Sequence, residues 1–285
     1  MDLLELGIHE SMEEYTEYKR HYLNSHSLAV YHRDPSLFKR LRDSQEDRKD
    51  TEALAFGRAL HALVCEGREA YESRYVEAVP ENGFPVNPRT GACYGVTTKA
   101  AEEWVESQVS SGYTVISAED ASLVEAMNYA VQTNPAAAHL FRGGEGEITF
   151  RGKIRNAPCQ CRVDYAHHDG VIIDLKTCWD IEAFEQDARK YLYWYQQGFY
   201  ELLLKNAAPE LNPELLFVAV EKRDPHRIAV CSFPADTIRR AKELIQEEAD
   251  QCWSLLQTNG DFFSPFAGVQ YFSEITTEEM KRKFL

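Results

Sequence analysis

Two aspartates and a lysine stand in a stretch otherwise built for burial, CRVDYAHHDGVIIDLKTCWD, residues 161 to 180. Alternate residues of a strand face the same side, so Asp174 and Lys176 emerge together. Asp169-Gly170 is a hairpin signal, and an antiparallel return can bring Asp164 beside Asp174. Two carboxylates, with the main-chain carbonyl of Leu175 between Asp174 and Lys176, offer the oxygen ligands a hard divalent cation takes. The lysine cannot ligate while charged, but it can orient or help deprotonate a metal-bound water, which is otherwise a poor nucleophile at neutral pH. A partly buried Asp–Lys salt bridge on a sheet, without chemistry, is the competing explanation of the same residues.

The elements that must position them follow from periodicity. Strands are expected over Glu147 to Arg151, Gln160 to Ala166 and Val171 to Lys176, then a long helix from about Ile181 to Lys205. The strands LLFVAVEK and RIAVCSF and a helix from Ala235 to Gln257, ending near Asn259-Gly260, come next. Upstream, residues 1 to 45 read as helical and charged. Asp34 is a candidate N-cap there, with Leu37, Phe38 and Leu41 at helix spacing. EALAFGRALHALVCEG is a buried helix that stops at Gly67, with Leu54, Ala55, Ala59, Ala62 and Leu63 along one face and one histidine, His61. Residues 81 to 95 are a loop rich in turn formers. Helices follow over Thr98 to Val109 and after Ser117, whose SAED reads as a capping box. The pattern is an α/β (α+β) layered domain, a mixed central sheet flanked by helices with an N-terminal helical region.

The 285 residues are 44% hydrophobic, enough for one enzyme-sized globule, and no internal repeat or long linker divides them. We divide the chain into an N-terminal helical region packed on the core (1–50), a main domain (51–265) and a tail (266–285). The formal charge of −15 is unlike that of a nonspecific nucleic-acid binder. A protein that threads nucleic acid through a channel, however, needs only a local basic surface. Seven scattered cysteines, an acidic N-terminus and no long apolar window predict a reducing, cytoplasmic location and no membrane span. Cys159 and Cys161 could bind zinc with His167 and His168, but two same-face strand cysteines is the simpler reading.

Acid, nine residues, acid, one residue, lysine is the pattern of the PD-(D/E)xK nucleases, here Val163-Asp164 … Asp174-Leu175-Lys176. Val163 stands where the family has proline, a backbone preference rather than a catalytic group. FGRALHALVCEG, SAEDASLVEAMNYAVQTNP, GEGEITF, CQCRVD, IIDLKTCWDIEAF and YWYQQGFY resemble, in order, the nuclease domain of exodeoxyribonuclease VIII (RecE-type) and its phage relatives, over roughly residues 26 to 257. The resemblance implies that His61, Asp164 and Asp174 are metal ligands, that Leu175 donates its carbonyl, and that Lys176 is the catalytic lysine. By itself, on a helix of small apolar residues, His61 reads as a satisfied core histidine. Gln196 matches the glutamine on the helix after the core strands, with Tyr193 and Tyr200 on its face. The family acid before the core strands aligns with Glu145 by its spacing to Ile148, with Glu147 as the alternative.

What this implies is a Mg²⁺- or Mn²⁺-dependent exonuclease, with one or two ions, acting processively 5′-to-3′ on double-stranded DNA ends. It would leave 3′ single strands for recombination with a RecT-like annealing protein. A ring-shaped homo-oligomer, a tetramer, in a bacterial host of phage or prophage origin completes the expectation. Alternatives are an endonuclease, a Cas4-like nuclease, for which the clustered iron–sulfur cysteines are missing, and a non-catalytic DNA-binding module. Arg58, Arg162, Tyr193 and Tyr200 are candidate DNA contacts, and Arg151, Arg155 and Arg189 further candidates for a terminal phosphate.

Overall fold

A computed structural model describes residues 2–44, 52–95 and 97–265. The N-terminal region forms α1 (Met12–Glu17), α2 (Ser25–Arg33) and α3 (Pro35–Asp43). Each starts on a side chain that satisfies first-turn N–H groups. Ser11 with Glu14, and Asn24 with Ser27, form reciprocal caps, and Asp34 accepts from Ser36 and Leu37. Phe38 is buried but Leu41 is exposed, so only part of the expected stripe on α3 packs. Leu3, Leu23, Leu28, Tyr31 and Phe38 share one hydrophobic cluster with the central sheet. The boundary drawn at residue 50 and the tail 266–285 lie outside the described residues.

α4 (Glu52–His61) runs into a π-helical turn (Ala62–Glu66) and ends at Gly67, whose φ of 95° suits glycine. Leu54, expected on its buried face, is exposed; Phe56 and Leu60 are buried beside Ala59, Ala62 and Leu63. Next come α5 (Arg68–Arg74), β1 (Tyr75–Glu77), α6 (Lys99–Ser110), β2 (Thr114–Ile116) and α7 (Ala118–Thr133). β1 and β2 pair in parallel. At three residues each they are too short for alternation to reveal. Ser117 caps α7 by accepting from Asp120 N at 3.0 Å. The 81–95 segment is irregular as expected, pinned by a bridge between Val86 and Cys93 and by buried Phe84 against Trp104.

The remainder is β3 (Glu145–Ile154), β4 (Ala157–Ala166), β5 (Val171–Cys178), α8 (Phe184–Lys190), α9 (Tyr193–Ala207), β6 (Glu214–Glu221), β7 (Ile228–Cys231) and α10 (Ala235–Thr258). The five strands order β3-β4-β5-β6-β7, antiparallel except for the parallel β5/β6 pair. Ile172, Phe217 and Ala219 join the cluster of α9 and α10, whereas Ile173, Leu175, Val218 and Val220 join that of α4 and α7. The sheet is therefore covered on both faces, the mixed α/β architecture expected.

One expected element divides. In place of a continuous helix from 181 to 205 the chain makes a 3-10 turn (Ile181–Ala183), then α8, then a break at Tyr191 and Leu192 before α9. Leu192 adopts φ 60°, a left-handed conformation that ends α8 and re-aims the chain. Cys159 and Cys161 lie in the apolar core, and burial pushes the Cys159 thiol up to about 12, so it stays protonated. His167 faces the Leu140 carbonyl at 2.8 Å. The zinc alternative is not assembled. Among the described residues no helix is long and apolar enough to cross a membrane.

Candidate metal centre

β4 and β5 pair only at Tyr165/Ile173 and Ala166/Ile172 and then part. Where the next pair would form, the Asp164 carboxylate fills the gap: its Oδ2 accepts from Leu175 N at 2.7 Å. This parting of the strands lets a side chain from α4 reach in. His61, the last residue of α4, places Nδ1 3.4 Å from Asp164 Oδ2 and 3.8 Å from Glu147 Oε1. The π turn that follows His61 touches the start of β3 backbone to backbone: a Cβ on Gly146 would collide with the Cys65 carbonyl. Glycine at 146 thus permits the approach that sets Glu147 beside His61.

His61, Glu147 and Asp164 each offer a ligand atom within 4.8 Å of the others. Of the two acids considered before the core strands, the structure brings Glu147, the alternative, beside His61 and Asp164. Glu145 is an exposed residue whose carboxylate meets His9 Nε2 at 3.0 Å. In a regular strand Glu145 and Glu147 would share a face, but Glu147 has φ 56°, which breaks the alternation and gives the two different directions. Such strain in a non-glycine residue persists only where its surroundings over-determine it. Here Arg162 Nε pairs with Glu147 Oε2 at 2.8 Å, and Arg162 Nη1 donates to the Glu10 carbonyl at 2.6 Å. The strap carrying Glu10 is itself bonded to β3 through Ile8 and Thr149.

Asp174, on β5, is 3% exposed. Its Oδ1 pairs with Lys176 Nζ and its Oδ2 accepts from Gln196 Nε2. Lys176 also lies 4.8 Å from the centroid of the Tyr193 ring, which stacks on Phe217. Burial pushes the Asp174 carboxyl up to about 6, against the pull of Lys176 and with the repulsion of Asp164 added. Burial works against a charged His61, but Asp164 and Glu147 outweigh it and hold the imidazole up to about 10. Burial likewise opposes charge on Asp164, and His61 outweighs it, leaving that carboxyl below its ordinary range. Lys176 is raised: its burial is overcome by Asp174 and Asp164.

The donor set fits a hard divalent cation. Two carboxylates and one imidazole converge, with the Asp174 carboxylate, ion-paired to Lys176, on the neighbouring strand, a set of hard oxygen donors and one nitrogen that suits such an ion. The positive charges of His61, Lys176 and Arg162 offset those carboxylates. The Leu175 peptide is held against the site by its own N–H.

A cleft of about 1840 Å³ opens beside His61, Glu147 and Asp164, between the N-terminal helices and the β1/β2 region. Arg58 lines it, bonded to Tyr75. Tyr200 is nearly buried, and its hydroxyl donates to the Arg162 carbonyl at 3.1 Å. Arg162, expected as a DNA contact, has its guanidinium engaged by Glu147 and Glu10. Arg151 is bound by Glu10 and stacked 4.2 Å from the Tyr18 ring centroid, and Arg189 pairs with Glu185. Arg155 takes φ 51° between β3 and β4. Sequence reasoning did not anticipate the role of Arg162 toward Glu147; the opposed positions of 149 and 162 in the β3/β4 hairpin were the available signal.

Residues 35–261 match a family described as "PDDEXK-like domain of unknown function (DUF3799)". Among solved structures, the fold is similar to that of a protein from Eubacterium rectale described as a "Putative exonuclease". The TM-score is 0.61 at 10% identity, with 98% of this chain and 100% of that one covered. At that identity the likeness shows a common fold. No match was found among curated proteins.

Proposed function

The chain belongs to this PDDEXK-like family, and from that premise we propose that it is a divalent-metal-dependent exodeoxyribonuclease. The observation that carries the reading is the convergence of His61, Glu147 and Asp164 within 4.8 Å beside the Asp174–Lys176 pair. His61, Glu147, Asp164 and Asp174 would hold Mg²⁺ or Mn²⁺, with the Leu175 carbonyl as a further ligand. When bound, the cation supplies Lewis-acid stabilisation of a phosphodiester undergoing in-line attack by water. Lys176 orients that water and offers positive charge where the transition state gains negative charge. Gln196 fixes the Asp174 carboxylate, and Arg162 fixes Glu147.

The resemblance to RecE-type nucleases supports the finer reading: processive 5′-to-3′ digestion from duplex ends, leaving 3′ single strands for an annealing protein. A tetrameric ring would reconcile DNA binding with a net charge of −15, because cations need only line its channel. It would also make digestion processive, since an enclosed substrate cannot leave between cleavages. The test uses end-labelled linear and closed circular duplexes with Mg²⁺, Mn²⁺ or EDTA, and Asp174→Ala as control. Metal-dependent loss of 5′ label from linear DNA, absent in the variant, is expected. Cleavage of circles at a comparable rate would overturn the exonuclease reading, and an active Asp174→Ala would move the site elsewhere.

A further inference from the structure

The break between α8 and α9 has a consequence beyond the metal centre. Leu192 takes its left-handed conformation there, an unfavourable state for a side chain with Cβ that functional surroundings often sustain. The residue it turns outward is Tyr191, 54% exposed, whereas Tyr193 is packed inward on Phe217. The Tyr191 and Tyr193 ring centroids lie 6.2 Å apart, and the Tyr193 centroid is 4.8 Å from Lys176 Nζ. Lys190 Nζ lies over the Tyr191 ring, 5.2 Å from its centroid, and exposed Arg33 donates to the Lys190 carbonyl at 2.6 Å. Cations and aromatic rings thus alternate from the surface to Lys176 in a chain of net charge −15. The strip reaches Lys176, beside Asp174, by way of Tyr193.

Single-stranded nucleic acid is held by this combination, with cations on the phosphates and base faces on aromatic rings. In a duplex the base faces are already stacked on one another, so an exposed tyrosine whose flexible lysine neighbour can move to a phosphate rewards an unpaired nucleotide. We propose that Tyr191, with Lys190 and Arg33, forms a subsite for an unpaired nucleotide of the DNA strand at the active site. One base stacks on Tyr191 while its phosphate lies on the two cations, on the order of three nucleotides from Lys176 at the roughly 3.4 Å rise of a stacked strand. The proposal rests on the nuclease reading and names the form of DNA that its site engages.

The test is fluorescence anisotropy in EDTA with a labelled ten-nucleotide oligothymidylate and, separately, a blunt duplex. Tyr191→Ala is expected to weaken oligothymidylate binding roughly 5- to 150-fold, the range for losing one base–aromatic stack, and duplex binding by less than about twofold. Tyr191→Trp should retain affinity, and Tyr129→Ala, which removes a 69% exposed tyrosine from α7, should behave as wild type. Mn²⁺ affinity by calorimetry should be unchanged in Tyr191→Ala. Wild-type oligothymidylate affinity in Tyr191→Ala, or an equal loss for the duplex, would overturn the subsite. Wild-type protein that digests DNA but does not bind the oligonucleotide would remove the subsite and leave the nuclease reading. Protein that neither binds Mn²⁺ nor digests DNA would remove both.

Discussion

Removing one charge of the Asp174–Lys176 pair should destabilise the protein in the absence of metal, whereas removing both should not. Asp174 is 3% exposed, and burial raises its carboxyl from 3.8 to about 6 even with Lys176 beside it. Lys176, held charged by Asp174 and Asp164, returns stability to the same pair, so the raised Asp174 carboxyl gives the sign of its own contribution and not the net cost of the pair. The sign follows from linkage: the folded state holds this proton more tightly than the unfolded chain. The penalty is therefore absent below about pH 4, grows between pH 4 and 6, and is complete above. Lys176→Met leaves the carboxylate buried without its cation, for which roughly 3–5 kcal/mol is typical; the side chain of Lys176 is 21% exposed, which favours the lower end, about 3 kcal/mol. In Asp174→Asn/Lys176→Met, the asparagine oxygen still accepts from Gln196 and no buried charge remains at the pair. Stability should equal wild type or exceed it by about 1–3 kcal/mol. Urea unfolding followed by circular dichroism, in EDTA near pH 8 and again near pH 5, gives these values. The Lys176→Met penalty should shrink near pH 5 as Asp174 takes up its proton. A neutral Lys176→Met, or a double variant as unstable as the sum of the single ones, would refute the reasoning.

Two further outcomes address the ligand set. Glu147→Gln should lower Mn²⁺ affinity about tenfold or more by calorimetry, while Glu145→Gln, which removes only the partner of His9, should leave it unchanged; the opposite pattern would restore Glu145 to the site. Because the carboxylates hold metal-free His61 up to about 10, a cation must displace its proton at neutral pH. Mn²⁺ affinity should therefore rise with pH, with about one proton released per ion, measured by titration in two buffers of different ionisation enthalpy; binding without proton release would contradict that exchange.

Much of the molecule was legible because the deciding signals are local. Alternation placed β3, β4 and β5 and put Asp174 and Lys176 on one face. Side-chain caps placed the starts of α3 and α7, and the family pattern picked out His61 on α4 and Gln196 on α9. These readings depend on side-chain directions along regular backbone, which a few neighbouring residues determine. The tertiary structure decided the rest wherever the backbone leaves that regularity. Glu147 displaces Glu145 because its left-handed φ breaks the strand's alternation, held by Arg162 and the strap that carries Glu10, 137 residues earlier. Leu192 divides a segment whose composition reads as one helix, and that break turns Tyr191 outward. β1 and β2 exist as strands only through their pairing across 39 positions of sequence. In each case the stabilising contact lies far along the chain, and periodicity reports only what adjacent residues prefer, not which distant backbone will meet them.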